Sequence, residues 1–265
     1  MNTGPDSSLL VHVEDAVAWV TLNRPERLNA LNAGLTSALG EFFTSLYRRP
    51  EIRIVVLRGA GRAFCAGLDL KEQPGGQTSD LVGRLYHQQS VRDVVIAMRR
   101  CPQPIICLIN GAASGGGFAF ALASDIRLAT LDARMNAAFI RLGASGCDIG
   151  VSYFLPRMVG SSVAAEYLLT GRFMDAARAH ALGLVSRVGT MEEMEEEARQ
   201  LCREMLNATP LGLRYTKEAL GIAIDAAGLE AVIAMEDRQQ MLCTQSSDYE
   251  EGVAAFLEKR TPRYV

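Results

Sequence analysis

The chain has 265 residues, is 49% hydrophobic and 22% charged, and carries a formal net charge of −3. That length admits one large domain with a substantial core, and the mildly acidic balance argues against a nucleic-acid binder. Met1 to Ser8 show no basic segment leading into an apolar one, and no apolar run approaches a membrane span, so a soluble, cytoplasmic protein is expected.

Leu10 to Val13 and Val17 to Leu22 read as two short strands, with Glu14-Asp15 as a hairpin turn. Asn32 is a plausible N-cap for a helix whose apolar residues Leu35, Leu39, Phe42, Phe43 and Leu46 recur at helical spacing. Ile54 to Gly59 is a compact apolar run of the buried-strand type. Gly61 to Leu70 reads as a small-residue loop leading into a turn of helix, and Pro74 to Ser79 as a mobile stretch rich in Gly, Pro and polar residues. A long helix is expected over Leu81 to Arg100 and a strand over Ile105 to Ile109.

The strand to Ile109 runs into Asn110-Gly111-Ala112-Ala113-Ser114-Gly115-Gly116-Gly117, and a helix pattern of small residues follows. Glycine lets the backbone approach a ligand closely. The amides that open a helix are unpaired and sit at the positive end of its dipole. Together these make a place for developing negative charge. The glycines do not have the Gly-x-Gly-x-x-Gly spacing of a dinucleotide site, and no Lys-Ser or Lys-Thr follows them as in a phosphate loop. Close packing of helix on strand is the other reading.

Asp125 to Ala129 resembles a further strand. The alternation up to this point argues for an α/β fold with buried sheets. From about Ser161 the texture turns helical, apart from a strand signal over Leu184 to Val188. Helices are expected over Met191 to Leu206, Leu211 to Ile224, Glu230 to Met241 and Tyr249 to Leu257. Their apolar faces need a partner, either the core or another subunit. The six cysteines form no Cys-x-x-Cys and the three histidines are scattered, so free thiols and no metal are expected.

Five motifs in the right order resemble the crotonase family, the enoyl-CoA hydratase/isomerase superfamily. They are Leu22-Asn23-Arg24-Pro25 with Leu28-Asn29-Ala30-Leu31; Phe64 to Leu70; Asn110-Gly111 with Gly115-Gly116-Gly117; Thr170-Gly171-Arg172 with Gly183-Leu184-Val185; and Phe256 to Pro262. The resemblance implies a ββα spiral core over residues 1–195 and a C-terminal α-helical oligomerisation region over 196–265. It also implies a homotrimer or a dimer of trimers. The substrate would be an acyl-CoA thioester of fatty-acid or related acyl-CoA metabolism, with no separate cofactor.

By motif position, Ala66 and Gly116 would be the two main-chain donors to the thioester oxygen as it becomes an enolate. Gly67, Leu68, Asp69, Gly115 and Phe139 would line the site, with Asp69 either following the CoA or capping the next turn. Arg24, Arg27 and Lys259 are candidates for CoA phosphate contacts, and Phe256 for covering the adenine, from this subunit or a neighbour. Each has an ordinary surface or packing role as its alternative.

The family's hydratases carry two glutamates, and here those positions hold Ala119 and Phe139. Neither side chain transfers a proton, which argues against two-glutamate hydration. Asp148, in Gly146-Cys147-Asp148-Ile149-Gly150, matches a loop aspartate of isomerase-like members. It is a candidate base or nucleophile, and an N-cap for the following helix is its other reading. His87 is expected to face solvent.

Overall fold

The computed structural model describes residues 7–72 and 81–264, so the Gly- and Pro-rich stretch from Pro74 to Ser79 lies outside the described residues. The N-terminal hairpin pairs β1 (Leu9–Glu14) with β2 (Val17–Leu22). Its turn is Asp15-Ala16, both left-handed with φ of 48° and 62°, one residue later than the Glu14-Asp15 expected. Asn32 caps α1 (Ala33–Ser45) as expected, its side chain accepting from the Leu35 amide at 3.0 Å. Phe42 and Phe43 of α1 are fully buried and meet edge-on with centroids 5.2 Å apart. Each such burial stabilises the fold by roughly 1.5–3 kcal/mol.

A repeat follows. β3 (Ile54–Gly59) and β4 (Ala63–Cys65) lead to α2 (Leu81–Arg100). Then β5 (Ile105–Ile109) and β6 (Ala112–Ser114) lead to α3 (Gly116–Ala123). Finally β7 (Ile126–Thr130) and β8 (Arg134–Asn136) lead through a 3-10 turn to α4 (Val151–Val159). In each unit the first strand joins one sheet and the second joins another. β3, β5 and β7 are parallel neighbours in the first sheet, and β4, β6 and β8 in the second. The chain therefore steps one strand along both sheets per unit, as a ββα spiral.

The chain continues through α5 (Ser161–Thr170), β9 (Met174–Asp175), α6 (Ala176–Ala181) and β10 (Arg187–Gly189). β10 completes a six-stranded sheet of order β1-β2-β3-β5-β7-β10, and β9 completes a four-stranded sheet of order β4-β6-β8-β9. The strand signal over Leu184 to Val188 is realised only at Arg187–Gly189. Gly61 to Leu70 was expected as loop, yet Ala63–Cys65 is a strand of this second sheet.

α7 (Met191–Leu206) opens on a capping box between Thr190 and Glu193 and covers the first sheet through Met194, Ala198 and Cys202. The division expected at residue 195/196 falls inside this helix. α8 (Pro210–Ala223) is tied to the core by Lys217, which is only 7% exposed. Its ammonium donates to the Gln103 carbonyl at 2.7 Å and pairs with Asp125 at 3.0 Å. α9 (Leu229–Thr244) has no buried residue, and α10 (Ser247–Glu258) buries only Ala255. No helix among the described residues is long and apolar enough to cross a membrane.

Candidate active site

The site begins in the loop after β2. Leu28 and Asn29 both take left-handed backbone, with φ of 51° and 54°. That is rare for Leu and tolerated by Asn. It sends the Asn29 side chain into the interior, where it is fully buried. Its oxygen accepts from the Arg24 amide at 2.8 Å, and its nitrogen donates to the carbonyls of Ala60 and Ala63 at 2.9 and 2.7 Å. One side chain thus joins the entry loop to the start of β4, with every polar atom used. The sequence motif contains Asn29 but gives no hint of this role.

The same loop sets the orientation of residues 66–69. The Ala66 amide donates to the Leu28 carbonyl at 3.0 Å. It is spent inside the fold, which removes Ala66 as the donor expected from its motif position. One step on, the Leu31 amide donates to the Gly67 carbonyl at 2.7 Å and the Asp69 amide donates to the Leu31 carbonyl at 2.9 Å. Peptide groups alternate in direction along an extended chain. With Gly67 C=O and Asp69 N–H facing Leu31, the Leu68 amide faces the opposite side.

On that side lies the glycine turn. Gly67 has φ +91°, and a Cβ there would stand 2.8 Å from the Ser114 carbonyl oxygen and 3.5 Å from the Gly116 nitrogen. The bends after β4 and β6 therefore touch, and only glycine fits the contact. Gly115 donates its own amide to the Asn136 carbonyl at 3.0 Å, and Gly116 then opens α3. Among the described residues, the amides of Leu68 and Gly116 have no acceptor. The Gly116 amide also sits at the positive end of α3. Beneath the bend, Cys65 is fully buried and burial pushes its thiol up to about 12, an effect the Gly67 amide partly offsets.

The segment 137–150 closes the other side. Phe139 is half-buried in the 3-10 turn Ala138–Leu142, and its Cε1 lies 3.4 Å from where a Gly115 Cβ would stand. Ala119 lies wholly in the core. The N-cap of α4 is Gly150, without a side-chain bond, so Asp148 does not cap that helix. Asp148 Oδ1 instead accepts from Gln88 of α2 at 2.5 Å and from the Ile149 amide at 2.8 Å. Gln88, Asp148 and Ile149 line one groove of about 550 Å³ between α2 and α4. His87 is half-buried rather than solvent-facing, and its buried Nε2 has no hydrogen-bond partner among the described residues.

The sequence profile described as Enoyl-CoA hydratase/isomerase matches residues 12–265. The chain belongs to the enoyl-CoA hydratase/isomerase family. It is 37% identical over 263 residues to 1,2-epoxyphenylacetyl-CoA isomerase of Escherichia coli, covering 97% of this chain and 98% of that one. It is 33% identical over 255 residues to (E)-benzylidenesuccinyl-CoA hydratase of Thauera aromatica, covering 96% and 97%. A crystal structure of enoyl-CoA hydratase from Bacillus anthracis superposes with a TM-score of 0.91 at 32% identity, covering 97% of this chain and 98% of that one. The ββα spiral is the family's crotonase fold, and the chain is an enzyme of this family.

Several residues expected at the family's substrate site do other work here. Arg24 is 7% exposed; it pairs with Asp69 at 3.0 Å and with Glu72 at 2.8 Å, and it donates to the Ala30 carbonyl at 2.5 Å. That leaves no free face for a phosphate. Asp69 accepts from the Lys71 and Glu72 amides at 3.1 and 3.2 Å, so the turn-capping reading holds. Burial by itself would raise the Asp69 carboxyl. The Lys71 amide, Arg24 and the Glu72 amide outweigh it and hold the group below its ordinary value of 3.8. Arg27 stays at the surface, 3.7 Å from Glu72. Phe256 is 83% exposed on α10, and Lys259 is the exposed left-handed residue that ends that helix.

Proposed function

We propose that this enzyme isomerises an acyl-CoA thioester through an enolate. In this reading the Leu68 and Gly116 amides donate to the thioester oxygen and Asp148 carries the proton. The supporting observation is the meeting of two bends whose amides have no acceptor, one at a helix N-terminus. Donors already aimed at a developing oxyanion need no reorganisation during the reaction, and one such donor contributes about 2.7–4 kcal/mol.

The step balances without a co-reactant. Asp148 takes a proton from the α-carbon, and the C–H pair becomes the enolate C=C while the carbonyl pair moves onto oxygen. Collapse of the enolate with return of the proton at the γ-carbon moves a double bond from the 3- to the 2-position. Two-glutamate hydration needs a carboxylate at each of positions 119 and 139 to position and activate water. Ala119 and Phe139 supply none, and the E. coli relative is itself named an isomerase. Arg27, Lys259 and Phe256 are the residues left to meet the CoA phosphates and adenine, Phe256 from a neighbouring subunit. The apolar side chains Leu229, Ile233, Met241 and Leu257, all exposed on α9 and α10, support a homotrimer or a dimer of trimers.

The test is a panel of aliphatic and phenyl-substituted 2-enoyl-, 3-enoyl- and 3-hydroxyacyl-CoA thioesters, followed by chromatography and mass. Conversion of 3-enoyl to 2-enoyl thioesters without change of mass is expected. Addition of water would restore the hydratase reading. Tight thioester binding with no conversion would instead make the chain a CoA-thioester-binding oligomer, the reading that Ala119 and Phe139 otherwise favour.

A further inference from the structure

Among the described residues, Ile149 is the only β-branched residue with a left-handed backbone, at φ +36°. Such a conformation is costly for a branched side chain and persists only where its surroundings enforce it. Two contacts accompany it. The Ile149 side chain is directed into the site, its Cδ1 lying 3.8 Å from where a Gly116 Cβ would stand. The Ile149 amide is turned back onto Asp148 Oδ1 at 2.8 Å. A second donor reaches the same oxygen from across the groove, Gln88 Nε2 at 2.5 Å. Among the described residues, Oδ2 receives no hydrogen bond.

We propose that Gln88 is a positioning residue for the proton transfer. It and the Ile149 amide hold Oδ1 from two sides, so the carboxylate cannot rotate and Oδ2 is the oxygen that takes the proton. A neutral amide suits the task, because it orients the carboxylate without cancelling its charge, as Lys or Arg would. This rests on Asp148 being the base. It adds a residue from α2, a different turn of the spiral from the one that carries the carboxylate.

The experiment uses the full-length protein and whichever 3-enoyl-CoA of the panel it converts fastest. Gln88→Leu removes the donor, and Gln88→Glu keeps the shape but sets an acceptor against an acceptor. Both are expected to lower kcat about tenfold, the effect of losing a hydrogen bond to a charged group, with KM and thermal midpoint unchanged. A staple that merely tied α2 to the loop would lower the midpoint or raise KM and leave kcat alone, and that result overturns the inference. If Gln88→Leu does not fold, the isosteric Gln88→Glu decides it. Asp148→Asn separates the two levels. Full turnover in that variant ends the Asp148 reading itself, whereas an inactive Asp148→Asn beside Gln88 variants with full kcat ends only the role of Gln88.

Discussion

The two sides of the site are built by different means. The donor side, residues 66–69 and 115–116, is almost all backbone, and what holds it lies deep. Asn29 is fully buried, the Arg24–Asp69 pair nearly so, and Gly67 is pressed against Ser114. The Asp148 side is a half-exposed loop whose carboxylate is oriented by one cross-groove hydrogen bond and by the amide of one strained residue. Under the proposed mechanism, charge stabilisation would be anchored in the core, while proton transfer would hang on a few side chains at its edge. A change at the edge is expected to alter chemistry at little cost in stability. A change beneath the donors is expected to cost both.

The sharpest test is Asp148→Asn. It is expected to lower kcat on a 3-enoyl-CoA by about 10²–10⁴-fold, with the denaturation midpoint and thioester affinity intact. A parallel loss of stability would erase the contrast between the two sides. Asn29→Ala is the opposite experiment. It leaves the Arg24 amide and the Ala60 and Ala63 carbonyls without their partner. A loss on the order of 3 kcal/mol in urea unfolding is expected, together with loss of turnover. Wild-type stability in that variant would show the peg to be dispensable.

Acid sharpens the same contrast. Because the folded-state carboxyl of Asp69 is held below 3.8, its contribution is present above that pH and is lost as pH falls through the lowered value. Asp69→Asn is therefore expected to be less stable at neutral pH but to lose less stability in the acid range below 3.8. Urea midpoints from pH 6 down to about pH 2 measure this, and identical pH slopes in both proteins would remove Asp69 from the account. The smallest effect is a labelling rate. Cys65 lies buried beneath the donor bend with its thiol near 12, while Cys147 is exposed beside Asp148. Iodoacetamide with peptide mapping is expected to modify Cys147 first and Cys65 only after unfolding. Comparable rates would mean that the donor side opens.

Much of the frame was legible because its signals are local. Ile54 to Leu57 and Ile105 to Ile109 are unbroken apolar runs, buried throughout, and Asn32 stands where a cap must stand. The second sheet was not legible. Its strands are two or three residues long, too short for any alternation to register, and they exist because β3, β5 and β7 lie in register behind them. The choice of donor amide shows the same limit. The family resemblance of Phe64 to Leu70 implies a main-chain donor there, but which amide faces outward depends on Leu31 pairing with Gly67 and Asp69, a contact across more than thirty positions. Arg24 reads in the sequence as a candidate phosphate contact or an ordinary surface or packing residue. Its burial follows from Asp69 and Glu72, which come much later in the chain.

The parallel order of β4, β6 and β8 has a consequence for how such an enzyme changes. The two amides follow the first two of these strands, and the Asp148 segment follows the third, so each part is carried by its own rung. A rung's outer loop can be exchanged without rethreading its neighbours. Under the proposed mechanism, grafting a different segment between Asn136 and Val151 is then a route to a new reaction while the two amides stay in place.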